Sequence, residues 1–321
     1  MEKTMRKQNT IYITLLLSLL TACQGSDLPA EEGTPLAFST QETRAGLSGI
    51  FGDFKVWGTC TADGDEYIMQ GYKVRYDNTV GWTYIIGEGT ESQRLQYWDN
   101  AAAMYRFHAG APAERVAEMG ESHVTMSMKS TTTLSETCLF SQPNVVGRTD
   151  AAFGNTVNLR FTYANARINL AFRYLADTPV SITDIRLTPP TPYATAAALR
   201  MDYDWTKRTT AAGTLSATER SGDALAFSDV QIPANSDATV FTAIPWYMIP
   251  DPSVVGKWKV SINTGSGTKE TEFTIDEAWQ PGRAYTYRFE YTTAANLVFT
   301  GTTTELFIGE SPEEGGEHNF N

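Results

Sequence analysis

The chain has 321 residues, with 25 Lys+Arg against 37 Asp+Glu and a formal net charge of -12. That balance argues against a nucleic-acid binder, which must cluster cations to neutralise phosphates. Hydrophobic residues make up 41% and aromatics 12%, enough to bury a real core and exclude wholesale disorder, and the length fits one large or two medium β-rich domains.

Lys3, Arg6 and Lys7 precede an apolar run from Ile11 to Leu20. This is the pattern of an export signal, and the run is too short to span a membrane as a helix. It ends in Leu20-Thr21-Ala22-Cys23, which resembles the lipobox of bacterial lipoproteins, where the segment before the cysteine (here 1–22) is removed and the cysteine is diacylated. Removing 1–22 takes away a net +2 and leaves -14. Residues 23–35 then read as a polar tether, with Cys23 carrying the lipid in the outer membrane. With Cys23 used, Cys60 and Cys138 remain in an oxidising compartment, either as a disulfide or as two thiols in the interior. The three histidines, His108, His123 and His318, lack metal-ligand spacing, so neither a metal nor a cofactor is expected.

Strand signals begin at Leu36-Ala37-Phe38-Ser39-Thr40, a short alternating stretch, and continue almost to the end. Period-two alternation recurs at Val157/Leu159/Phe161/Tyr163, Ile168/Leu170/Phe172/Tyr174, Trp258/Val260/Ile262 and Tyr285/Tyr287/Phe289/Tyr291, as in half-buried antiparallel strands of a sandwich. Turn residues separate them at Asp63-Gly64, Asp77-Asn78, Thr264-Gly265-Ser266-Gly267 and Pro281-Gly282. Helical periodicity is weak throughout, with one short turn expected at 100–103, and Thr188-Pro189-Pro190-Thr191-Pro192 reads as a surface loop. The expected organisation is a first domain at 36–176 that includes the strand 36–40, a second at 177–295, and a C-terminal segment at 296–321. That segment holds two short strands, 296–300 and 303–308, before a Gly- and Glu-rich tail.

Phe54-Lys55-Val56-Trp57-Gly58, Gly71-Tyr72-Lys73-Val74, Trp82-Thr83-Tyr84, Tyr97-Trp98, Tyr105-Arg106-Phe107 and Ala111-Pro112 follow one another in an order similar to that of the fimbrillins, the lipoprotein pilins of Bacteroides and relatives. Phe161-Thr162-Tyr163-Ala164-Asn165-Ala166-Arg167-Ile168 resembles the strand joining their two domains, with Tyr163 where that family often has His. Ala243-Ile244-Pro245-Trp246-Tyr247-Met248-Ile249-Pro250 and Trp279-Gln280-Pro281-Gly282-Arg283-Ala284-Tyr285-Thr286-Tyr287 are similar to the second domain. The resemblance implies two transthyretin-like antiparallel β-sandwich domains in tandem. It further implies maturation by an arginine-specific protease, here at Arg44 with Ala45 as the new N-terminus, which removes the lipid and the first strand. The vacated groove would take a C-terminal donor strand, here Leu297, Phe299, Leu306 and Ile308, from the next subunit. Partners are then other pilin subunits, in a homo- or hetero-polymer, and a host or bacterial surface receptor. The location is the fimbrium at the cell surface, reached from an outer-membrane lipoprotein precursor.

Enzyme signatures are missing: there is no Gly-x-Ser-x-Gly elbow and no phosphate loop. Asp63-Gly64-Asp65-Glu66 lacks the remaining EF-hand ligands and reads as a hairpin turn. No catalytic residue is assigned. The rival reading is a permanently lipid-anchored surface protein, either a pilus anchor or a glycan binder. The glycan binder would stack sugars on Trp57, Trp82, Trp98 or Trp246, residues that read more readily as strand packing.

Overall fold

The structure, a computed structural model, describes residues 33–40, 51–61, 65–84, 93–234, 239–292, 294 and 296–307. Two compact units divide the chain, 1–34 and 35–321, and the second is described here. Among the described residues it is all-β, with short 3-10 turns and no α-helix.

The first sheet is built from β2 (Asp53–Thr61), β3 (Asp65–Asp77), β4 (Gly81–Tyr84), β5 (Met104–Ala111), β8 (Leu139–Ser141), β9 (Asn144–Gly147) and β11 (Phe161–Tyr163). Their order is β11-β8-β5-β2-β3-β4, with β9 also paired to β5. One face sends Phe54, Val56, Tyr105 and Phe107 into a core shared with β1 (Phe38–Thr40) and β10 (Val157–Leu159). β2 and β5 do not alternate in burial; their central residues are buried in near-continuous runs. Such runs mark strands covered on both faces. The cover on the far side is a four-stranded sheet ordered β15-β14-β7-β6, made of β6 (Val116–Gly120), β7 (His123–Lys129), β14 (Tyr193–Asp204) and β15 (Thr209–Ser221). Its ladder runs antiparallel from Ala196↔Lys129 to Asp202↔His123, so the two halves of the chain are sewn together by backbone hydrogen bonds. Val124, Met126, Leu199 and Met201 fill the core beneath it with Cys138 and Phe140.

The other core lies between two five-stranded sheets. One holds β12 (Ala166–Arg173), β18 (Val240–Phe241), β19 (Trp246–Met248), β22 (Arg283–Tyr291) and β23 (Leu297–Leu306); the other holds β13 (Val180–Thr188), β16 (Leu225–Phe227), β17 (Val230–Ile232), β20 (Gly256–Thr264) and β21 (Gly267–Ile275). Trp258, Val260 and Ile262 of β20 alternate inward as their spacing predicts. β12 falls within the span 36–176 read as the first domain, yet its Ile168, Leu170 and Phe172 pack in this second core. It lies beside β22 in a parallel ladder, which the long stretch of chain between them permits. That ladder and the one joining β1 to β10 depart from the expected antiparallel pattern.

Local chemistry places the turns. Asp77 Oδ1 accepts from the backbone N–H groups of Thr79 (2.7 Å) and Val80 (3.1 Å), closing the β3–β4 hairpin. Around 100–103 the expected turn forms, with Ala101 N–H on Asp99 Oδ1 at 2.7 Å. The loop after Met248 is fixed by Asp251, which is fully buried. Its carboxylate accepts from Arg220 (2.6 Å), the Ser253 hydroxyl (2.7 Å) and backbone N–H groups of Ser253 (3.0 Å) and Ala194 (3.1 Å). Burial pushes this carboxyl up, but the Arg220 and Ser253 bonds outweigh it and hold Asp251 below the usual carboxylate range. A buried charge so fully satisfied locks the β14–β15 hairpin to the loop that follows β19.

Candidate assembly site

The stretch 36–40 forms β1 over its last three residues, Phe38–Thr40. Leu36 donates its N–H to Gln96 O at 2.8 Å, and Val157 donates to Ala37 O at 2.8 Å. β1 then runs parallel to β10 for three pairs, Phe38↔Val157 to Thr40↔Leu159. Leu36, Phe38 and Thr40 all point inward, and the Phe38 ring meets Phe107 edge-on at 5.5 Å. Thr40 also borders a small apolar hollow of about 10 Å³ lined by Phe51, Phe54, Trp82, Leu139 and Phe161. Phe54 packs on Trp82 at 4.9 Å and on Phe161 at 5.4 Å.

At the other end, 297–306 forms one strand, where the sequence predicts two. The change of phase between Phe299 and Leu306 is a bulge at Thr300, followed by Gly301 at φ +149. β23 pairs with β22 alone among the described residues and forms the sheet edge. Leu297 is buried and Phe299 packs against the second core, but Leu306 is 62% exposed and Val298 43%. Phe307, which alternation aims outward, is 5% exposed and sits in the first core. Its N–H donates to Gly282 O at 2.8 Å. Sequence reasoning misses this residue because the expected strand 303–308 puts it on the outward phase, whereas the strand ends at Leu306 and Phe307 turns inward.

The other predicted residues fall as follows. Cys60 is buried in the first core and Cys138 in the core under the four-stranded sheet. Cys138 is a thiol that donates to Ser127 O at 3.6 Å, so the two cysteines are not joined; burial pushes the Cys138 thiol up to about 12. Trp57 and Trp98 are buried, while Trp82 and Trp246 pack half-buried on the two main cores. Cys23, Arg44, Ala45, Ile308 and His318, the signal 1–22, the turn at Asp63-Gly64 and the tail 309–321 lie outside the described residues. Among the described residues no cluster of three metal-ligating side chains occurs, and no helix is long and apolar enough to cross a membrane.

His108 on β5 is fully buried, with Nε2 2.8 Å from Gly120 O and its ring stacked between Trp57 (5.2 Å) and Tyr203 (4.2 Å). Burial, helped by nearby His123 and opposed by the Gly120 carbonyl, pulls its pKa down to about 3. A neutral imidazole thus sits at the seam between the first sheet and the four-stranded sheet.

A family model described as fimbrillin-like matches residues 50–305. The chain belongs to the fimbrillin-like family. A fimbrial protein from Bacteroides vulgatus superposes with a TM-score of 0.52 at 13% identity, over 86% of this chain and 99% of that one. A candidate cell adhesion protein from Bacteroides uniformis gives 0.50 at 14% identity, over 88% of this chain and 100% of the other. At these identities the likeness is one of fold. No curated protein sequence matches the chain.

Proposed function

We propose that this fimbrillin-like chain is a structural subunit of a surface fimbrium serving cell adhesion, with no catalytic role. It is exported as a lipoprotein on Cys23, cut after Arg44, and joined to the next subunit by donor-strand exchange, on a frame of two tandem transthyretin-like sandwiches. The observation that carries this reading is the mode of attachment of β1. The first strand fills an apolar groove through Leu36, Phe38 and Thr40, yet its ladder with β10 is only three pairs long. Once cut from the chain, such a segment leaves a hydrophobic slot and unpaired backbone that an extended segment of another subunit can occupy. β23 suits the donor role, since among the described residues it is an edge strand carrying exposed apolar side chains, Val298 and Leu306.

The test is the mass and N-terminal sequence of the protein taken from its native surface, with denaturing gels of unheated and boiled samples. A chain beginning at Ala45, with an oligomer ladder that collapses on boiling, is the expected result. A diacylated chain beginning at Cys23 and running only as monomer would overturn the polymerising subunit and leave a lipid-tethered protein.

A further inference from the structure

We propose that Phe307 is a catch that keeps the C-terminal strand on its own chain. The holding forces along β23 are unevenly placed. Its buried and half-buried apolar contacts, Leu297 and Phe299, lie at the N-terminal end, whereas side chains from Thr302 to Leu306 are exposed on both faces. Beyond the bulge the strand therefore rests on its one-sided ladder with β22. Edge strands held in this way open first where buried side chains are fewest. Phe307 closes that end.

Its ring lies face to face with Tyr163 at a centroid distance of 4.0 Å and near-parallel to Tyr247 at 5.6 Å. Tyr163 ends β11 in the first sheet and Tyr247 lies on β19 in the second core's sheet, so one side chain bridges elements of the two. The backbone of the socket is equally specific. Gly282, which accepts the Phe307 N–H, has φ +66, and a Cβ there would lie 2.5 Å from the Thr162 methyl carbon. Only glycine adopts that conformation at so close an approach. Gly282 in turn donates its own N–H to Asn165 O at 3.2 Å, tying the socket to the chain just before β12.

Release of the strand then begins with one aromatic ring leaving one socket, after which the exposed half peels without losing buried side chains. The use of that release in assembly rests on the donor-strand reading above; the catch itself does not. The test is hydrogen exchange followed by mass spectrometry on the full chain and on Phe307→Ala, Phe307→Leu and Leu306→Ala. Phe307→Ala should speed exchange at 302–306 by about tenfold or more, the weight of one buried aromatic side chain. Phe307→Leu, which keeps apolar burial and loses the ring stack, should fall between. Leu306→Ala should match the parent, and the β20–β21 hairpin should be unchanged in all. Unchanged exchange at 302–306 in Phe307→Ala would overturn the catch, as would equal acceleration in β20–β21, which reports global loosening. After treatment with an arginine-specific protease, oligomers should grow faster from Phe307→Ala. Faster exchange with no oligomers from any chain would leave the catch standing and remove the donor-strand reading.

Discussion

β1 pairs with its neighbour over three residues and buries every inward side chain, whereas β23 pairs over nine and leaves most of its side chains in water. The first strand is held by what its side chains fill, the last by what its backbone bonds to. The difference matters for exchange. A side-chain-held strand leaves an expensive apolar vacancy when it goes, so its groove must be refilled. A backbone-held strand is portable, because a main-chain ladder reads no sequence and can be rebuilt on any compatible edge.

The contrast breaks most sharply at Phe38. Phe38→Ala removes a ring packed on Phe107 inside the first core, and should cost about 3–5 kcal/mol in urea unfolding of the uncut chain. A loss below 1 kcal/mol would mean that β1 is not what closes the groove. Acid should strike the same side of the molecule. His108 follows Phe107 on β5 and faces the seam instead of the groove. Its folded pKa of about 3 lies below the ordinary histidine value of 6.5, so below pH 6.5 the unfolded chain takes up a proton that the folded chain refuses. Stability therefore falls as pH drops from 6.5 towards 3, by about 3 kcal/mol at pH 4. His108→Gln should flatten that part of the pH profile; an identical slope in both proteins would assign acid sensitivity to the carboxylates.

A smaller effect distinguishes backbone from side chain within β23. Phe307 donates to Gly282 O, and antiparallel ladders alternate, so Glu305 and Thr303 also turn their N–H groups inward while Thr304 and Thr302 turn theirs out. Thr303→Pro removes a ladder bond and should cost about 1–3 kcal/mol, with Thr304→Pro costing measurably less. Equal midpoints for the two variants in thermal unfolding would contradict a backbone-held strand.

What was legible in the sequence follows the same divide. Alternation located β1, β20 and the first phase of β23, Leu297 and Phe299, because period two is written into residues that face one core; Leu306, read in a second phase, is exposed. The sheet joining β7 to β14 was not legible: its partners lie far apart in sequence, and their small and Met side chains carry no mark of each other. The two parallel ladders escaped for a related reason, since alternation reports burial and says nothing of strand direction. Phe307 and His108 were missed as single residues outside any period. Each acts through neighbours, Tyr163 and Tyr247 for one, Trp57 and Tyr203 for the other, that only the fold assembles. Of the two readings open for Cys60 and Cys138, the structure shows two interior thiols, because the two side chains lie in different cores.

The smallest effect on stability is the most informative about assembly. Leu306 is a large apolar side chain 62% exposed at the end of an edge strand, so Leu306→Ser should change the unfolding midpoint of the uncut chain by less than about 0.5 kcal/mol. In a donated strand the same side chain would be buried in a neighbour's groove, where replacing it with a hydroxyl costs binding without touching the fold. The two measurements therefore separate: an unchanged midpoint with a weakened oligomer ladder on unheated gels places Leu306 in the interface between subunits. An unchanged midpoint with a ladder like the parent's would mean that the strand, if donated, is gripped by its backbone and by Leu297 and Phe299 alone, and that its outer half adds length without affinity.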